Sequence, residues 1–322
     1  MVRVCEDLFP KGFYKGQRGE GFYMDDVLKN QVDILLKNAT KDWDFTIIIT
    51  GGGEVRVGKS VLAMQIAIYW SYMMDKMYGI KTPFEIGKNF VFDGKELIKR
   101  GNELGINHPH SALVFDEAGA DLEGKKVMQS ITQDVLDFYR ECGQYNLFNI
   151  LVLPDYFDLP KGIALSRSIF LVDVYYTSDE EGNFLRGYFN FYSRRNKKYL
   201  YLKGKRDLNY SSYRYDFNGR FYNFYPIDEK KYRAMKQEAL RKRESKRRNK
   251  FQLQRDACWF LLNKEIGWKQ EEIAKRMEQM TGIYVGLSTI SDGLNHYSLE
   301  NGWNSALRGH FIILKCVCLL SL

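Results

Sequence analysis

The chain is poor in cysteine: five among 322 residues (Cys5, Cys142, Cys258, Cys316 and Cys318), with no C-x-x-C pair. That excludes a disulfide framework or a cysteine-built zinc module and is the usage of a reduced, intracellular protein, so the expected location is the cytoplasm. The opening Met1-Val2-Arg3-Val4-Cys5-Glu6-Asp7 lacks an apolar leader core, so secretion is not expected. No run is long enough to cross a bilayer. The best candidate is the tail from Phe311 to Leu322, twelve residues interrupted by Lys315. It reads as a buried terminal strand or helix, or as an abnormal end to the reading frame. There is no internal repeat, and no nuclease-type cluster of acidic residues is evident after Thr177, which counts against a complete terminase with its own cutting domain.

What is present suffices for a large core. At 45% hydrophobic content, the chain has room for one ample domain and a small one. Its net charge is +8, and the excess is concentrated. From Lys230 to Lys250 eleven Lys/Arg residues, Lys236, Arg243, Arg247 and Arg248 among them, stand against Glu238 and Glu244. Such a block repels itself unless a polyanion neutralises it, which points to nucleic acid; a solvated helix or linker is the plainer alternative.

The most specific signal lies near the N-terminus. Thr50-Gly51-Gly52-Gly53-Glu54-Val55-Arg56-Val57-Gly58-Lys59-Ser60 follows the apolar run Phe45–Ile49 and precedes a helix-compatible run that begins at Val61. From Gly53 it reads G-x-x-x-x-G-K-[ST], the phosphate-binding loop of nucleoside triphosphatases, in the strand-loop-helix context the loop requires. Four fixed positions should recur by chance in only about 1% of chains of this length. Glycines let the backbone turn its N–H groups inward, and a helix N-terminus extends that cradle for a polyanion. Residues 53–61, from Gly53 through Glu54, Val55, Arg56, Val57 and Gly58 to Val61, are therefore the expected nucleotide contacts. Lys59 would reach the β- and γ-phosphates, and Ser60 would ligate Mg²⁺. ATP is the expected nucleotide, although the motif does not distinguish it from GTP.

A second apolar run, Ala112-Leu113-Val114-Phe115, ends in Asp116-Glu117-Ala118. This is the form of a Walker B element, in which Asp116 would hold Mg²⁺ and Glu117 would polarise the attacking water. Metal ligation uses one carboxylate and hydrolysis a second, so the adjacency of the two acids carries chemical meaning.

The pattern predicts residues 1–40 as an N-terminal extension and 41–228 as a P-loop nucleoside triphosphatase domain of α/β class. Strands are expected at 45–49, 89–92, 112–116, 147–153 and 168–176, and helices at 59–74, 94–102, 125–141 and 160–166. From Phe184 to Tyr225 aromatic residues interleave with turn signals such as Asn196-Lys197 and Asn218-Gly219, which predicts appended β-hairpins covering a sheet edge. A basic linker helix over 229–252, a helical module over 253–300 and the apolar tail 301–322 complete the division. Within the module, helices are expected at 251–265, 269–280 and 288–296. Three short helices with Ala274 in the second resemble a helix-turn-helix domain; Ser288, Thr289, Ser291, Asp292 and Asn295 would face outward from its third helix. The connector from Thr281 to Leu287 is longer than the tight turn of the simplest motif.

The two Walker elements, Arg140-Glu141-Cys142-Gly143 ahead of a strand, and Ser166-Arg167-Ser168-Ile169-Phe170 resemble the ATPase core of the FtsK–HerA superfamily over residues 41–177. Within it, zonular-occludens-toxin-like and virus- or plasmid-encoded ATPases are the nearest in pattern. The resemblance implies a RecA-like, mostly parallel sheet with an extra strand between the P-loop and Walker B strands, and rings, hexamers among them, that move double-stranded DNA. It also implies that Arg140 or Arg167 meets a neighbouring subunit's γ-phosphate; a cation favoured at a helix C-terminus is the alternative for each. Where the family carries a neutral polar residue at the end of the 147–153 strand, this chain has Leu153-Pro154-Asp155. An aspartate facing the γ-phosphate would repel it.

Two functions from different classes fit. One is a DNA-translocating, packaging or loading ATPase of a virus or plasmid. The other is an ATP-switched DNA-binding protein, such as a replication initiator or partition-type protein, with slow turnover. A small-molecule kinase would need an acceptor site that the sequence does not display.

Overall fold

The computed structural model describes residues 1–13, 20–54, 56–116, 130–246 and 250–300. It divides into two compact units, Met1–Ala239 and Leu240–Leu322. The first is built on a sheet of seven strands: β3 (Phe45–Thr50), β4 (Phe90–Val91), β5 (Ala112–Phe115), β6 (Phe148–Val152), β7 (Leu171–Ser178), β8 (Phe184–Tyr192) and β9 (Phe217–Arg220), in the order β4-β5-β6-β3-β7-β8-β9. The five strands from β4 to β7 run parallel, and β8 and β9 are antiparallel additions. β6 lies between the P-loop strand β3 and the Walker B strand β5, which is the RecA-like arrangement the resemblance implied. A further pair, β1 (Val2–Val4) and β2 (Phe22–Met24), is antiparallel.

Strands β3, β4, β5 and β6 are buried along their whole length, because most of their residues are apolar. In β3, Ile47 and Ile49 enter one core, with Leu62, Ile66 and Trp70, whereas Ile48 enters the other, with Leu97, Val135 and Tyr139. This alternation, one strand feeding two cores, is the mark of a parallel sheet covered by helices. The helix after the phosphate loop, α2 (Lys59–Tyr78), is buried almost all round from Val61 to Ser71, so it passes through the first core rather than lying over it. It stops at Gly79, which takes the left-handed conformation at φ 67°. Its neighbour α1 (Asp26–Ala39) starts where the Asp25 carboxylate accepts the Leu28 N–H at 3.0 Å. The opposite face carries α3 (Gly94–Asn107), capped by Asp93, and α4 (Ser130–Glu141).

The predicted strands and helices of the α/β core are present among the described residues, the 125–129 part of the helix expected at 125–141 lying outside them, with two differences. The segment expected to be a helix at 160–166 is a single π-helical turn, Gly162–Arg167, whose strand follows only at Leu171. The Asn196-Lys197 turn signal is not a turn. It lies inside α5 (Arg194–Gly204), which connects β8 to β9. Lys197 there is fully buried and donates to the Ala164 carbonyl at 2.6 Å, closing the end of the π turn, and burial pulls its ammonium down to about 7. A local Asn-Lys pair carries turn propensity, but burial of Lys197, Leu200, Tyr201 and Gly204 on one face of the helix overrides it.

From Glu229 the chain forms α6 (Glu229–Lys246). The second unit holds α7 (Lys250–Lys264), α8 (Gln270–Thr281) and α9 (Leu287–Glu300) around Trp259, Phe260, Ile273, Ile290 and Leu294. Arg255 stacks over Trp259 and pairs with Asp256 at 2.7 Å, and Gly293 is required because a Cβ there would lie 2.7 Å from the Asp256 carboxylate. The α8–α9 connector is 282–286, entered through Gly282 at φ 70°. Ser288, Thr289, Asp292 and Asn295 of α9 are exposed and Ser291 is half-buried. Val55, Glu117 and the tail 301–322 lie outside the described residues, as do the side chains from Lys242 to Phe251. No helix among the described residues is long and apolar enough to cross a membrane.

Candidate nucleotide-binding site

The loop after β3 is held from below by one carbonyl. Pro154 O accepts the Thr50 hydroxyl at 3.0 Å, the Gly51 N–H at 3.3 Å and the Gly53 N–H at 2.9 Å. Gly53 therefore turns its amide toward the loop after β6. Gly52, Gly53, Arg56 and Gly58 all have positive φ (54°, 84°, 61° and 107°), which bends the backbone into a concave turn. Gly58 is required twice over: an added Cβ would lie 2.9 Å from the Phe221 ring. The first turn of α2 follows directly, with N–H groups that no helix carbonyl can accept. Lys59 folds back across the loop and donates to the Glu54 carbonyl, its Nζ beside Gly51.

Across the cleft, Ser60 Oγ donates to Asp116 Oδ2 at 3.0 Å, although the residues are 56 apart in sequence. Two further groups reach the same oxygen from α6: Tyr232 Oη at 3.1 Å and Lys236 Nζ at 3.3 Å. Burial and the neighbouring Asp116 charge hold the Tyr232 phenol well above its ordinary range. Lys236 stands in the basic block that the sequence assigned to nucleic-acid phosphates, and here its ammonium is turned inward to a carboxylate. The signal that could have found this pair is its i,i+4 spacing, which sets a tyrosine and a lysine on one face of a helix.

Asp155 does not project freely. Its Oδ1 accepts the Phe157 N–H and the Tyr210 hydroxyl, each at 2.9 Å, and caps the short turn Tyr156–Asp158. Tyr210 Oη in turn accepts the Tyr156 N–H at 2.8 Å and lies 3.3 Å from Thr50 Oγ1. The expected repulsion by a free aspartate at this strand end is thus replaced by a hydrogen-bonded strut between the loop after β6 and the phosphate loop. Asp173 of β7, in register with Thr50, lies on the same side. It is buried, and desolvation with the nearby Asp155 charge pushes its carboxyl up to about 7, against the opposing pull of Lys59. An acid between Val172 and Val174 in a buried strand was visible in the sequence and could have been singled out.

The two arginines differ in their surroundings. Arg167 forms a forked pair with Asp44 and also donates to Cys142 Sγ at 3.3 Å, so it ties the chain ahead of β3 to the segment ahead of β6. Arg140 is 68% exposed and pairs with Asp137 one turn back on α4.

No family model matches the chain, and no curated protein does. Among solved structures, the genome packaging NTPase B204 from Sulfolobus turreted icosahedral virus 2 in complex with AMPPCP is similar at 15% identity, covering 48% of this chain and 94% of that one, with a TM-score of 0.32. B204 from Sulfolobus turreted icosahedral virus, described as a DNA-packaging ATPase, is similar at 16% identity over 48% of this chain and 95% of that one, with a TM-score of 0.31. The N-terminal domain of zonular occludens toxin from Neisseria meningitidis is similar at 13% identity, over 59% of this chain and 98% of that one, with a TM-score of 0.34.

Proposed function

We propose that this chain binds and hydrolyses ATP and acts on double-stranded DNA. The observation that carries the reading is the 3.0 Å contact between Ser60 and Asp116 at the mouth of a positive-φ loop, because a phosphate cradle and a pair of hard oxygen donors converge there. Those donors fit Mg²⁺, a small cation that prefers oxygen ligands and retains water; when bound it would neutralise phosphate charge. The amides of residues 56–61 and the Lys59 ammonium would orient and hold the phosphates. Glu117, next along the chain from the metal ligand, is assigned the role of orienting and deprotonating the attacking water. Arg140, exposed at the end of α4, is the better candidate to reach a neighbouring subunit, since Arg167 is committed to Asp44.

DNA is assigned to the basic segment after Ala239 and to the exposed face of α9, in a helix-turn-helix-like module with an extended connector. Translocation, packaging or loading by an oligomeric ring in the cytoplasm is the favoured setting. The alternative, an ATP-switched DNA-binding protein, draws support from Lys236 and Tyr232: α6, which continues into the basic segment, senses the metal-binding carboxylate directly. The deciding experiment is the ATPase rate with and without double-stranded DNA, read beside sedimentation. Strong stimulation and a nucleotide-dependent hexamer support the motor; slow turnover by a monomer or dimer supports the switch; no hydrolysis under either condition rejects the enzymatic reading.

A further inference from the structure

Asp173 is a charged residue in a strand with no evident need for one. Its neighbours in β7, Leu171, Val172 and Val174, are fully buried, and its own side chain is nearly so. Across the sheet it pairs with Thr50 on one side and with Asn190 on the other, which sets the carboxyl under the start of the phosphate loop. Its Oδ1 has no hydrogen-bond partner, an expensive state for a buried carboxyl oxygen. That oxygen lies 3.9 Å from where a Cβ on Gly52 would stand, whereas Lys59 Nζ lies 2.9 Å from the equivalent point on Gly51. Two consecutive glycines thus carry the acid against one and the essential ammonium against the other.

The groups that act on this carboxyl come from every side. Lys59 from α2 and the Gly52 N–H favour its ionised form, whereas burial and Asp155, from the loop after β6, oppose it. Tyr210, Tyr192 from β8 and Tyr175 from β7 itself complete the surroundings as neutral phenols. The one cation in this set is Lys59, and it is also the residue a triphosphate would claim.

We propose that Asp173 is a positioning residue of the phosphate loop, which when ionised competes with the bound triphosphate for the Lys59 ammonium, so that nucleotide binding is coupled to uptake of a proton at Asp173. The proton comes from solvent and no covalent bond changes. This rests on the nucleotide-site reading above. Drawing Lys59 to the phosphates removes the charge that stabilises the Asp173 carboxylate, while phosphate oxygens add negative charge nearby, and both changes favour the protonated acid.

The test is equilibrium binding of ATP at saturating Mg²⁺ between pH 5.5 and 8.5, on the full chain, for the wild type, Asp173→Asn and Lys59→Ala, with melting temperatures measured alongside. Affinity of the wild type is expected to fall roughly five- to tenfold from pH 6 to 8, and that of Asp173→Asn to stay level near the wild-type value at low pH. The same nucleotide in both arms cancels its own titration. Net proton uptake on binding to the wild type near pH 7, followed by calorimetry in buffers of different ionisation enthalpy, gives an independent readout should the variant fail to fold. Equal pH profiles for wild type and Asp173→Asn, or absence of proton uptake by the wild type, would overturn the proposal while leaving the nucleotide site intact. Binding undiminished in Lys59→Ala would instead overturn the site reading, and with it the role of Asp173.

Discussion

Lys236 and Asp116 are 120 residues apart in sequence, yet the lysine ammonium lies 3.3 Å from the carboxylate expected to hold Mg²⁺. The two cannot be satisfied independently, because a cation entering beside Ser60 adds positive charge where Lys236 already supplies it. With Asp116 buried and Lys236 partly so, the contact is shielded enough to matter energetically.

Replacing Lys236 with Met should therefore tighten binding of magnesium nucleotide and lower the melting temperature of the chain without nucleotide. Ser60 and Tyr232 remain on the carboxylate, so a loss of about 1–3 kcal/mol is expected rather than collapse. Thermal melts with and without MgATP check both halves. A variant that binds more weakly would show that Lys236 helps to hold nucleotide instead of competing with the metal.

Gly51→Ala should damage nucleotide binding more than it damages folding. The added methyl would lie 2.9 Å from both Lys59 Nζ and Val57 Cγ2, and the flexible lysine is the group that gives way. Displacing Lys59 by even about 1 Å can cost on the order of 100-fold in a site that depends on positioning. Affinity and melting temperature, measured on the same preparation, separate the two effects; unchanged affinity would mean that Lys59 has room to spare.

Asp173 also makes stability depend on pH. Its folded-state value is raised from 3.8 to about 7, so the folded chain binds the proton more tightly than the unfolded one. The stabilising contribution is complete below about pH 4 and is lost as the pH rises to about 7. Asp173→Asn, neutral throughout, should consequently be more stable than the wild type at pH 8, by at most about 4 kcal/mol, with the gap closing toward pH 4. Denaturant melts at the two pH values decide; a constant gap would remove the titration from the account.

Charge reversal at Arg243, Arg247 and Arg248 should weaken binding to all DNA sequences about equally and flatten its salt dependence, since log K falls by roughly 0.9 per phosphate neutralised. Changes at Thr289 or Asn295 should instead act on a preferred site alone, and only if α9 reads bases. A chain ending after Ala239 is the useful truncation. Ending at Pro226 would strip Tyr232 and Lys236 from Asp116 and confuse a DNA effect with a nucleotide one.

Legibility in the sequence followed the range of the interactions. Gly58-Lys59-Ser60 and the apolar run into Asp116 could be read directly, because their chemistry is local and fixed by spacing. The strand order was implied only by resemblance, since parallel pairing of Phe45 with Phe148 leaves no local mark. Lys197 was misread as part of a turn because its partner, the Ala164 carbonyl, lies 33 residues away. Asp155 was read as a possible repellent because Tyr210, the hydroxyl that ties it down, comes 55 residues later. Lys236 was read by composition as one cation in a basic block, whereas its position on the α6 face sends it inward. In each case the missing information was a contact across the fold.

Lys59 decides whether the loop after β3 is a phosphate site. The most direct measurement is equilibrium binding of MgATP to the wild type and to Lys59→Ala, with melting temperatures compared. Binding by the wild type is expected, with a loss of at least about 100-fold in the variant, corresponding to about 2.7 kcal/mol, and little change in melting temperature. Equal affinity in the two proteins would contradict that expectation, because the loop from Gly51 to Ser60 would then be a structural turn and not a phosphate site.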